Sequence, residues 1–488
     1  MDALRGATGS GAGLAGGGLP ATDAARAGAI ALIDGEHYPP VVADTLRALS
    51  GRYTFVAALF LGGGEKLREW PAGELDELYG LPVTTVAAGP DGAATGVAAA
   101  RAALAGLLEA TGAGVVVDVS DEPVLGYRER FQLISVTLWW GARYVGADFE
   151  FSPQPLARLS SKPSLAIIGT GKRVGKTAVS GFVGRRLGDR FGRERVVIVA
   201  MGRGGPATPQ VVAGGARLGA EGLLAVSRQG LHAASDYLED AVLTGVTTVG
   251  CRRCGGGMAG ASVLDTVGRA LDLVDGMPAA VVIWEGSGSA IPPVQAQAVV
   301  CVASAMQPPE YITGYLGTYR MLISDALFLT MCEPPFCDDA RLDALRSAVT
   351  DMNPDIDLIP TVLRPRPVAS VAGRRVAFFT TATPASADLL AGHLREAHDA
   401  DVTLVSTDLA GRAALRDAVA AAADRADIFL TEIKAAAVDV VAEAAARLGK
   451  ELVFCDNEPV AVDGRDLAAV VDGLADTAQR RFAARRGS

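Results

Sequence analysis

Short apolar runs alternate with longer segments of helical periodicity along most of this chain. In the first of three blocks, the runs that predict strands are Ala29–Ile33, Thr54–Leu59, Val83–Val86 and Gly114–Val117. Segments such as Val41–Leu49 and Ala93–Glu109 predict the intervening helices. Because strands and helices alternate, we expect parallel strands that are joined by right-handed crossovers.

The same alternation continues in two further blocks. Strands are predicted in the second block at Leu165–Ile168, Val196–Ala200, Ala280–Trp284, Val299–Ala303 and Leu327–Thr330. Strands are predicted in the third block at Arg375–Thr380, Val402–Val405, Ile428–Leu430 and Leu452–Phe454, with a helix at Ala435–Leu448. The whole pattern therefore predicts an α/β protein with mostly parallel sheets.

Glycine-rich and proline-rich stretches suggest where the blocks begin and end. Phe151–Pro163 contains three prolines and Leu363–Val368 contains two, and both segments are interpreted as joints. The predicted organisation is a disordered tail (1–26), an N-terminal α/β domain (27–150), a linker (151–163), a central domain (164–364) and a C-terminal α/β domain (365–488).

Composition narrows the class of protein. Half of the residues are apolar, yet glycine, proline or charge interrupts each long apolar run, so we predict no membrane span. The N-terminus lacks the features of a secretory signal, which favours the cytoplasm. A net charge of −10 argues against nucleic acid and anionic membranes as partners, but it allows a small anionic substrate in a local arginine cluster.

The cysteines suggest no secreted disulfide framework. Cys251 and Cys254 have the spacing of half a zinc site, and Cys332 and Cys337 would have to complete it. The interpretation that we favour is small buried or loop residues in a reducing compartment.

A glycine-rich segment follows the strand Leu165–Ile168 directly and precedes a predicted helix at Ala178–Leu187. Its sequence is Gly-Thr-Gly-Lys-Arg-Val-Gly-Lys-Thr, residues 169–177. Glycines let successive backbone N–H groups turn inward, and the helix N-terminus adds partial positive charge, so this segment predicts a phosphate-binding loop (P-loop) for ATP. The fold class predicted is thus a central P-loop NTPase domain that is flanked by two smaller Rossmann-like α/β domains.

Each residue type in the loop suggests a role. Lys176 is predicted to hold the β- and γ-phosphates, and Thr177 to ligate Mg²⁺. Lys172 and Arg173 either stabilise charge during phosphoryl transfer or are solvated loop charges. The residues that are predicted to contact ATP are Gly169, Thr170, Gly171, Lys172, Arg173, Val174, Gly175, Lys176, Thr177 and Ala178. Thr170 replaces the first glycine of the usual spacing, and dethiobiotin synthetase has a similar loop with threonine there.

Glu285 ends an apolar strand and is followed by small residues. A carboxylate at the C-terminal end of a strand beside the loop can hold Mg²⁺ or its water. Dethiobiotin and cobyrinate-type synthetases have a similar Glu-Gly segment. We therefore predict a metal ligand here, the alternative being a cap of the following turn.

Cationic and glycine-rich segments near other strand ends predict a site for phosphate or carboxylate. The candidate substrate-binding residues are Arg203, Arg252, Arg253, Gly255, Gly256, Tyr319 and Arg320. Asp34 and His37 follow the first strand and are either substrate residues or parts of a polar strand-to-helix loop.

Four segments together resemble the cyclic 2,3-diphosphoglycerate synthetase family, namely Asp34–Pro40, Gly169–Thr177, Gly250–Gly257 and Ala435–Val440. The resemblance implies a homodimeric, ATP- and Mg²⁺-dependent ligase that closes 2,3-diphosphoglycerate into a cyclic phosphoanhydride, with release of ADP and phosphate. The catalytic residues that it implies are Lys172, Arg173, Lys176 and Glu285.

Two other functions remain open at this level. One is a synthetase of the dethiobiotin or cobyrinate type that activates a carboxylate or carbamate. The other is a regulatory switch ATPase, which the paired arginines Arg252 and Arg253 and the two additional domains disfavour.

Overall fold

The computed structural model describes residues 28–63, 74–86, 96–156, 160–216, 218–229 and 232–487. The predicted disordered tail, residues 1–26, lies outside this range. The chain forms two compact units. Of the described residues, the first unit contains those up to Pro155 together with Pro308–Ile323 and Ser347–Ile356, and the second contains those within 156–307, 324–346 and 357–487.

A six-stranded sheet forms the centre of the first unit. Its elements are β1 (Gly28–Ile33), α1 (Pro39–Leu49), β2 (Thr54–Phe60), α2 (Leu75–Tyr79), β3 (Val83–Thr85), α3 (Val97–Thr111), β4 (Val115–Asp118), α4 (Tyr127–Trp139), β5 (Arg143–Val145) and β6 (Glu150–Phe151). The strand order is β3-β2-β1-β4-β5-β6, and all neighbours are parallel except β5 and β6. The order reverses between β1 and β4, which is where open α/β sheets form ligand crevices.

Strands and helices continue to alternate through the rest of the chain, which includes Pro308–Ile323 and Ser347–Ile356 of the first unit. The elements up to α8 are β7 (Ser164–Gly169), α5 (Lys176–Phe191), β8 (Val196–Gly202), β9 (Gln210–Val212), α6 (Ala220–Arg228), α7 (Asp236–Thr244), β10 (Thr247–Cys254), β11 (Leu264–Asp265) and α8 (Val267–Asp275). The next are β12 (Val281–Glu285), β13 (Ala298–Ser304), α9 (Pro309–Ile312), α10 (Gly317–Leu322), β14 (Ala326–Thr330), α11 (Asp339–Met352) and β15 (Asp357–Pro367). The last are β16 (Arg375–Phe379), α12 (Ala387–His398), β17 (Asp401–Ser406), α13 (Arg412–Ala422), β18 (Ile428–Thr431), α14 (Glu443–Leu448), β19 (Glu451–Ala461) and α15 (Leu467–Gly487).

One continuous sheet runs through the second unit, in the order β11-β10-β8-β12-β7-β13-β14-β15-β19-β18-β16-β17, with β9 on β10. In this order each strand from β10 to β15 is parallel to the next, and so is each strand from β19 to β17. The short strands β9 and β11 are antiparallel to β10. The pair β15 and β19 is antiparallel and joins the two halves.

The proline-rich segment Leu363–Val368 is therefore not an irregular joint, because it lies in and directly after β15. Thr361–Pro367 pairs with Cys455–Ala461. Val368 N donates to Phe454 O at 2.9 Å, so alternation along the ladder leaves Pro365 and Pro367 at positions where β19 requires no N–H donor. The prolines are thus compatible with a paired strand.

The core of the second unit lies on the face of the sheet that α5 and α15 cover. It includes Leu165, Ile167, Val183 and Leu187 of the central segment and Val471, Leu474 and Ala475 of the last helix. The final helix of the chain therefore packs against the central sheet. No helix within the described ranges combines the length and apolar character that a membrane span requires.

Candidate ATP and phosphate site

The predicted P-loop lies between β7, which ends at Gly169, and α5, which begins at Lys176. Two residues of the loop adopt left-handed backbone conformations, Arg173 with φ of 63° and Gly175 with φ of 88°. Lys176 and Thr177 are half-buried at the start of the helix, whereas Lys172 and Arg173 are exposed on the loop. The helix N-terminus and the loop therefore have the arrangement that binds a polyphosphate.

Neighbouring strand ends hold this loop in place. The Thr170 hydroxyl donates to Gln307 Oε1 at 2.6 Å, and the Thr330 hydroxyl donates to Val174 O at 2.9 Å. The departure from glycine at position 170 thus has a structural reason, because the side chain anchors the loop to the segment after β13. Gln307 and Thr330 were missed in the sequence, where the only signal was a polar residue near the end of a buried strand.

The loop also lies close to two of the predicted substrate arginines. A Cβ atom on Gly169 would lie 3.3 Å from Gly288 O, so the two segments are in contact. A Cβ atom on Gly288, whose φ is 61°, would lie 3.0 Å from Arg203 Nη2 and 3.5 Å from Arg253 Nη2. The guanidinium groups of Arg203 and Arg253 therefore converge on the loop after β12, beside the first residue of the P-loop.

Arg253 is buried and held by carbonyl groups, and it donates to Gly255 O and Ser287 O, both at 2.7 Å. Burial and the neighbouring Arg203 lower the pKa of Arg253 below its usual value. Its Nε has no hydrogen-bond partner in the part of the chain that the structure describes. A buried, repelled guanidinium with an unused donor is suited to an anionic ligand.

Arg252 does not join this cluster, although it is adjacent in sequence. It is exposed, and its Nε donates to Gly205 O at 3.1 Å. Successive side chains of a strand point to opposite faces of the sheet, so Arg252 and Arg253 lie on opposite faces of β10. The sequence analysis predicted no strand at residues 247–254, so it did not foresee this separation. Gly255 and Gly256 are exposed beyond the end of β10.

Glu285 is buried at the end of β12, beside carboxylates of α7. Its Oε2 and both carboxyl oxygens of Asp240 have no hydrogen-bond donor among the described residues. Burial raises the pKa of Glu285 to about 7, an effect that Lys176 opposes and Asp236 increases. Burial and Glu285 likewise raise the pKa of Asp240. The sequence analysis assigned none of the acidic residues of α7 to the site.

Asp236, the first residue of α7, belongs to the same cluster. A Cβ atom on Gly202 at the end of β8 would lie 3.2 Å from Asp236 Oδ2. Asp236 also raises the pKa of Glu285 and opposes the lowering of the pKa of Arg253. Asp236 therefore interacts electrostatically with both Arg253 and Glu285.

Asp34 and His37 belong to the first unit, where Asp34 organises a loop. Its Oδ1 accepts hydrogen bonds from the backbone N–H groups of Glu36 (3.0 Å) and His37 (3.1 Å) and lies 2.9 Å from His37 Nδ1. Its Oδ2 accepts from Asp121 N at 2.6 Å, which connects the loops after β1 and β4. These contacts match the structural alternative for Asp34, and they orient the His37 ring.

Tyr319 and Arg320 also lie in the first unit, on α10. Arg320 is buried and donates to Leu316 O at 2.9 Å. Burial raises the pKa of Tyr319. The structure thus places these two residues in a different unit from Arg203 and Arg253.

The cysteine spacing does not produce a zinc site among the residues that the structure describes, where no three His, Cys, Asp or Glu side chains gather as metal ligands. Cys251 is buried and Cys254 exposed, as expected for alternating positions on β10.

The strand, the glycine loop that ends in Lys176-Thr177, the helix and the acidic end of β12 define a P-loop α/β protein. Three family models match the chain, and their descriptions are the N-terminal domain (28–152), the P-loop domain (164–362) and the C-terminal domain (367–458) of cyclic 2,3-diphosphoglycerate synthetase. The chain belongs to the cyclic 2,3-diphosphoglycerate synthetase family.

Full-length relatives agree with this assignment. The cyclic 2,3-diphosphoglycerate synthetase of Rubrobacter xylanophilus is 49% identical over 433 residues, which cover 88% of this chain and 93% of the relative. The synthetase of Methanothermus fervidus is 40% identical over 437 residues, covering 89% and 93%. That of Thermococcus gammatolerans is 42% identical over 443 residues, covering 91% and 96%.

Proposed function

We propose that this protein catalyses the ATP-dependent closure of 2,3-diphosphoglycerate to cyclic 2,3-diphosphoglycerate, with release of ADP and phosphate. The observation that carries the proposal is the convergence of Arg203 and Arg253 on the loop after Glu285, in contact with Gly169 of the P-loop. A nucleotide site and a cationic site thus adjoin each other at the C-terminal edge of one parallel sheet.

The P-loop amides and Lys176 bind the triphosphate of ATP in this proposal. Thr177 and Glu285 would hold Mg²⁺, and the buried Oε2 of Glu285, which accepts no hydrogen bond from the described residues, fits a cation-binding role. When bound, Mg²⁺ would neutralise charge on the transferred phosphoryl group. Lys172 and Arg173, exposed on the loop, would stabilise the same charge from the solvent side.

Arg203 and Arg253 are the proposed ligands of the substrate phosphates. The carbonyl groups of Ser287 and Gly255 fix the orientation of Arg253, so its guanidinium is positioned before substrate binds. Gly255, Gly256 and Arg252 lie nearby on or after β10 as weaker candidates. Asp34, His37, Tyr319 and Arg320 are candidate substrate residues of the first unit.

The proposed reaction has two steps. One phosphate oxygen of 2,3-diphosphoglycerate attacks the γ-phosphorus of ATP, and the bond to ADP breaks. The neighbouring phosphate then attacks the phosphorus of the activated phosphate, which expels orthophosphate and closes the cyclic anhydride. Arginines offset the repulsion between the two substrate phosphates, and the second attack is intramolecular, for which effective molarities of about 10⁵–10⁸ M are known.

Phosphorus NMR tests this proposal directly. The protein incubated with ATP, Mg²⁺ and 2,3-diphosphoglycerate should yield a cyclic phosphoanhydride, ADP and phosphate in equal amounts. Lys176→Ala should abolish turnover, which controls for contaminating activities. ADP release that does not depend on 2,3-diphosphoglycerate would refute the proposal, and an acyclic product would favour a carboxylate- or carbamate-activating synthetase instead.

The homodimer and the cytoplasmic location remain predictions from the family resemblance and the sequence. Light scattering on the purified protein measures the subunit number, with twice the mass of 50.0 kDa as the expected result.

A further inference from the structure

Lys434, which follows β18 in the C-terminal half of the second unit, reaches an acidic helix of the central half. Its ammonium group lies 3.6 Å from Glu239 Oε1 on α7. Glu239 is buried, with 4% of its surface exposed. A buried carboxylate is costly unless a partner compensates its charge, so this contact matters more than an exposed ion pair would.

Three carboxylates surround Lys434, but two of them have other partners. Glu432 Oε1 accepts from Thr380 Oγ1 (2.9 Å) and Asn457 Nδ2 (2.8 Å), and its Oε2 accepts from the backbone N–H (3.0 Å) and hydroxyl (2.7 Å) of Thr381. Asp456 forms ion pairs with Arg185 and Arg366. For Glu239, Lys434 is the ion-pair partner that the described residues supply.

The electrostatic environment keeps Lys434 charged. Burial alone would lower the pKa of Lys434, but Glu239, Glu432 and Asp456 outweigh that effect and raise it. The same charge acts further into the site, because Lys434 opposes the raised pKa values of Glu239 and Glu285. Lys434 is therefore electrostatically connected to the end of β12.

The segment that carries Lys434 has two conformational features that recur at functional sites. Ala435 has φ of 49°, a left-handed conformation that is unfavourable for a residue with a Cβ atom. A π-helical turn, Ala437–Ala442, follows and leads into α14. Ile433 and Val438, which precede and follow Lys434 in sequence, pack against Leu238 and Leu243 of α7 in one apolar cluster. One short segment thus fixes α7 by both apolar and ionic contacts.

The residues that α7 places near Glu285 at the end of β12 are Asp236 and Asp240, on either side of Glu239 in sequence. Asp240 contacts Glu285, and Asp236 lies beside Gly202. We propose that Lys434 is a positioning residue, which acts through Glu239 to hold the first turn of α7 in the place that phosphoryl transfer requires. This inference rests on the proposed function, since it assigns Lys434 a part in that reaction.

The proposal predicts that a change of Lys434 lowers turnover but leaves nucleotide binding intact. Gln307 and Thr330 make hydrogen bonds to the P-loop itself, whereas Lys434 acts on α7, so the affinity for ATP should survive when Lys434 is changed. Lys434→Met should lower kcat about 100-fold while the dissociation constant for ATP stays within about threefold of the wild type, because small misplacements around reacting groups have effects of this size. Lys434→Arg, which keeps the charge, should recover most of the lost kcat.

A double-mutant cycle adds a readout that general loss of structure would not give. In Lys434→Met the carboxyl group of Glu239 is left without its partner, and Glu239→Gln removes the group through which Lys434 acts. The double variant should therefore turn over no more slowly than Lys434→Met alone, rather than at the product of the two separate effects. Lys450→Met, in the same half of the unit, is the matched control and should behave as the wild type.

Cyclic product measured by phosphorus NMR, ATP affinity measured by calorimetry and thermal unfolding are recorded for each variant. A folded Lys434→Met with wild-type kcat, a parallel loss of ATP affinity and kcat, or multiplicative effects in the cycle would each overturn the proposal. If Lys434→Met does not fold, Glu239→Gln tests the proposal instead. We expect kcat of Glu239→Gln to fall about tenfold while its ATP affinity is unchanged. A wild-type kcat in Glu239→Gln would refute the proposal. Failure of the wild type to form the cyclic product would refute the proposed function instead.

Discussion

Arg252 and Arg253 are neighbours in the chain, yet their side chains belong to different surroundings. Arg253 is buried and converges with Arg203 on Gly288, whereas Arg252 is exposed and bonded to Gly205 O. Two adjacent arginines therefore provide a matched pair of variants with equal changes of charge and size. Comparing the two variants separates the effect of where the arginine lies from the effect of losing an arginine.

We expect Arg253→Met to lower kcat/KM for 2,3-diphosphoglycerate by about 100-fold, since a charge-assisted hydrogen bond to a phosphate is removed at a buried position. Arg252→Met should stay within about fivefold of the wild type under the same assay. Steady-state kinetics with 2,3-diphosphoglycerate as the varied substrate provide the measurement. Equal losses in the two variants would contradict the assignment of the substrate phosphates to the Arg203–Arg253 pair.

A second prediction at the residue scale concerns Glu285 and the pH dependence of kcat/KM. Burial raises the pKa of Glu285 to about 7, so lowering the pH below 7 protonates the oxygen that would bind Mg²⁺. At low Mg²⁺ concentration, kcat/KM should fall about tenfold per pH unit below this pKa. Raising the Mg²⁺ concentration should shift the acid limb to lower pH, because the metal binds the ionised form.

The pH profile of wild-type turnover, measured at two Mg²⁺ concentrations, tests this point. Glu285→Gln cannot ionise, and its residual activity should show no such Mg²⁺-dependent shift. An acid limb in the wild type that is independent of Mg²⁺ concentration would argue against Glu285 as the metal ligand.

At the scale of elements, the P-loop is shaped by strands that lie far from it in sequence. The segment after β13 contributes Gln307 and the end of β14 contributes Thr330 to its hydrogen bonds. Arg341, close to the start of α11, in turn donates to Ala305 O (2.7 Å) and Gln307 O (2.8 Å). The loop conformation therefore depends on the register of the parallel sheet, not on its own glycines alone.

Thr170→Val tests this dependence, because valine keeps the shape but leaves Gln307 Oε1 without the hydroxyl donor. Because Ser304 N still donates to that oxygen, the loss of this one hydrogen bond is expected to destabilise the loop by about 0.5–1.5 kcal/mol, which weakens ATP binding by roughly 2- to 10-fold. Thr313→Val, which removes an exposed hydroxyl in the first unit, serves as the control. Calorimetric titration with ATP measures the effect, and an unchanged affinity would show that Thr170 does not set the loop geometry.

At the scale of the whole molecule, one sheet spans the central and C-terminal segments of the second unit. The antiparallel pair β15–β19 joins them, and α15 returns to cover the central strands. Leu474 on α15 is 8% exposed and belongs to the same core as Ile167 and Leu187. The stability of the ATP-binding strands therefore depends on the end of the chain.

Leu474→Ala should lower the free energy of unfolding by about 2–4 kcal/mol, because it leaves a cavity in that core. Asp476→Ala, two residues later on the half-exposed side of α15, should change stability by less than about 1 kcal/mol. Chemical denaturation that is followed by a probe in the central segment measures both. A Leu474→Ala variant as stable as the wild type would show that α15 does not support the central sheet.

The sequence by itself determined the α/β class, most strand positions and the phosphate loop, because these depend on local periodicity and on glycine spacing between a strand and a helix. It also placed Glu285 at a strand end. Only the tertiary structure decided that Arg203 joins Arg253 and not Arg252, that Gln307 supports Thr170, and that Lys434 meets Glu239. Such contacts join residues that are distant in the chain, and they depend on strand order, register and the alternation of side chains across a sheet. The proline-rich segment of β15 shows the same limit, since its pairing partner lies about ninety residues later in the chain.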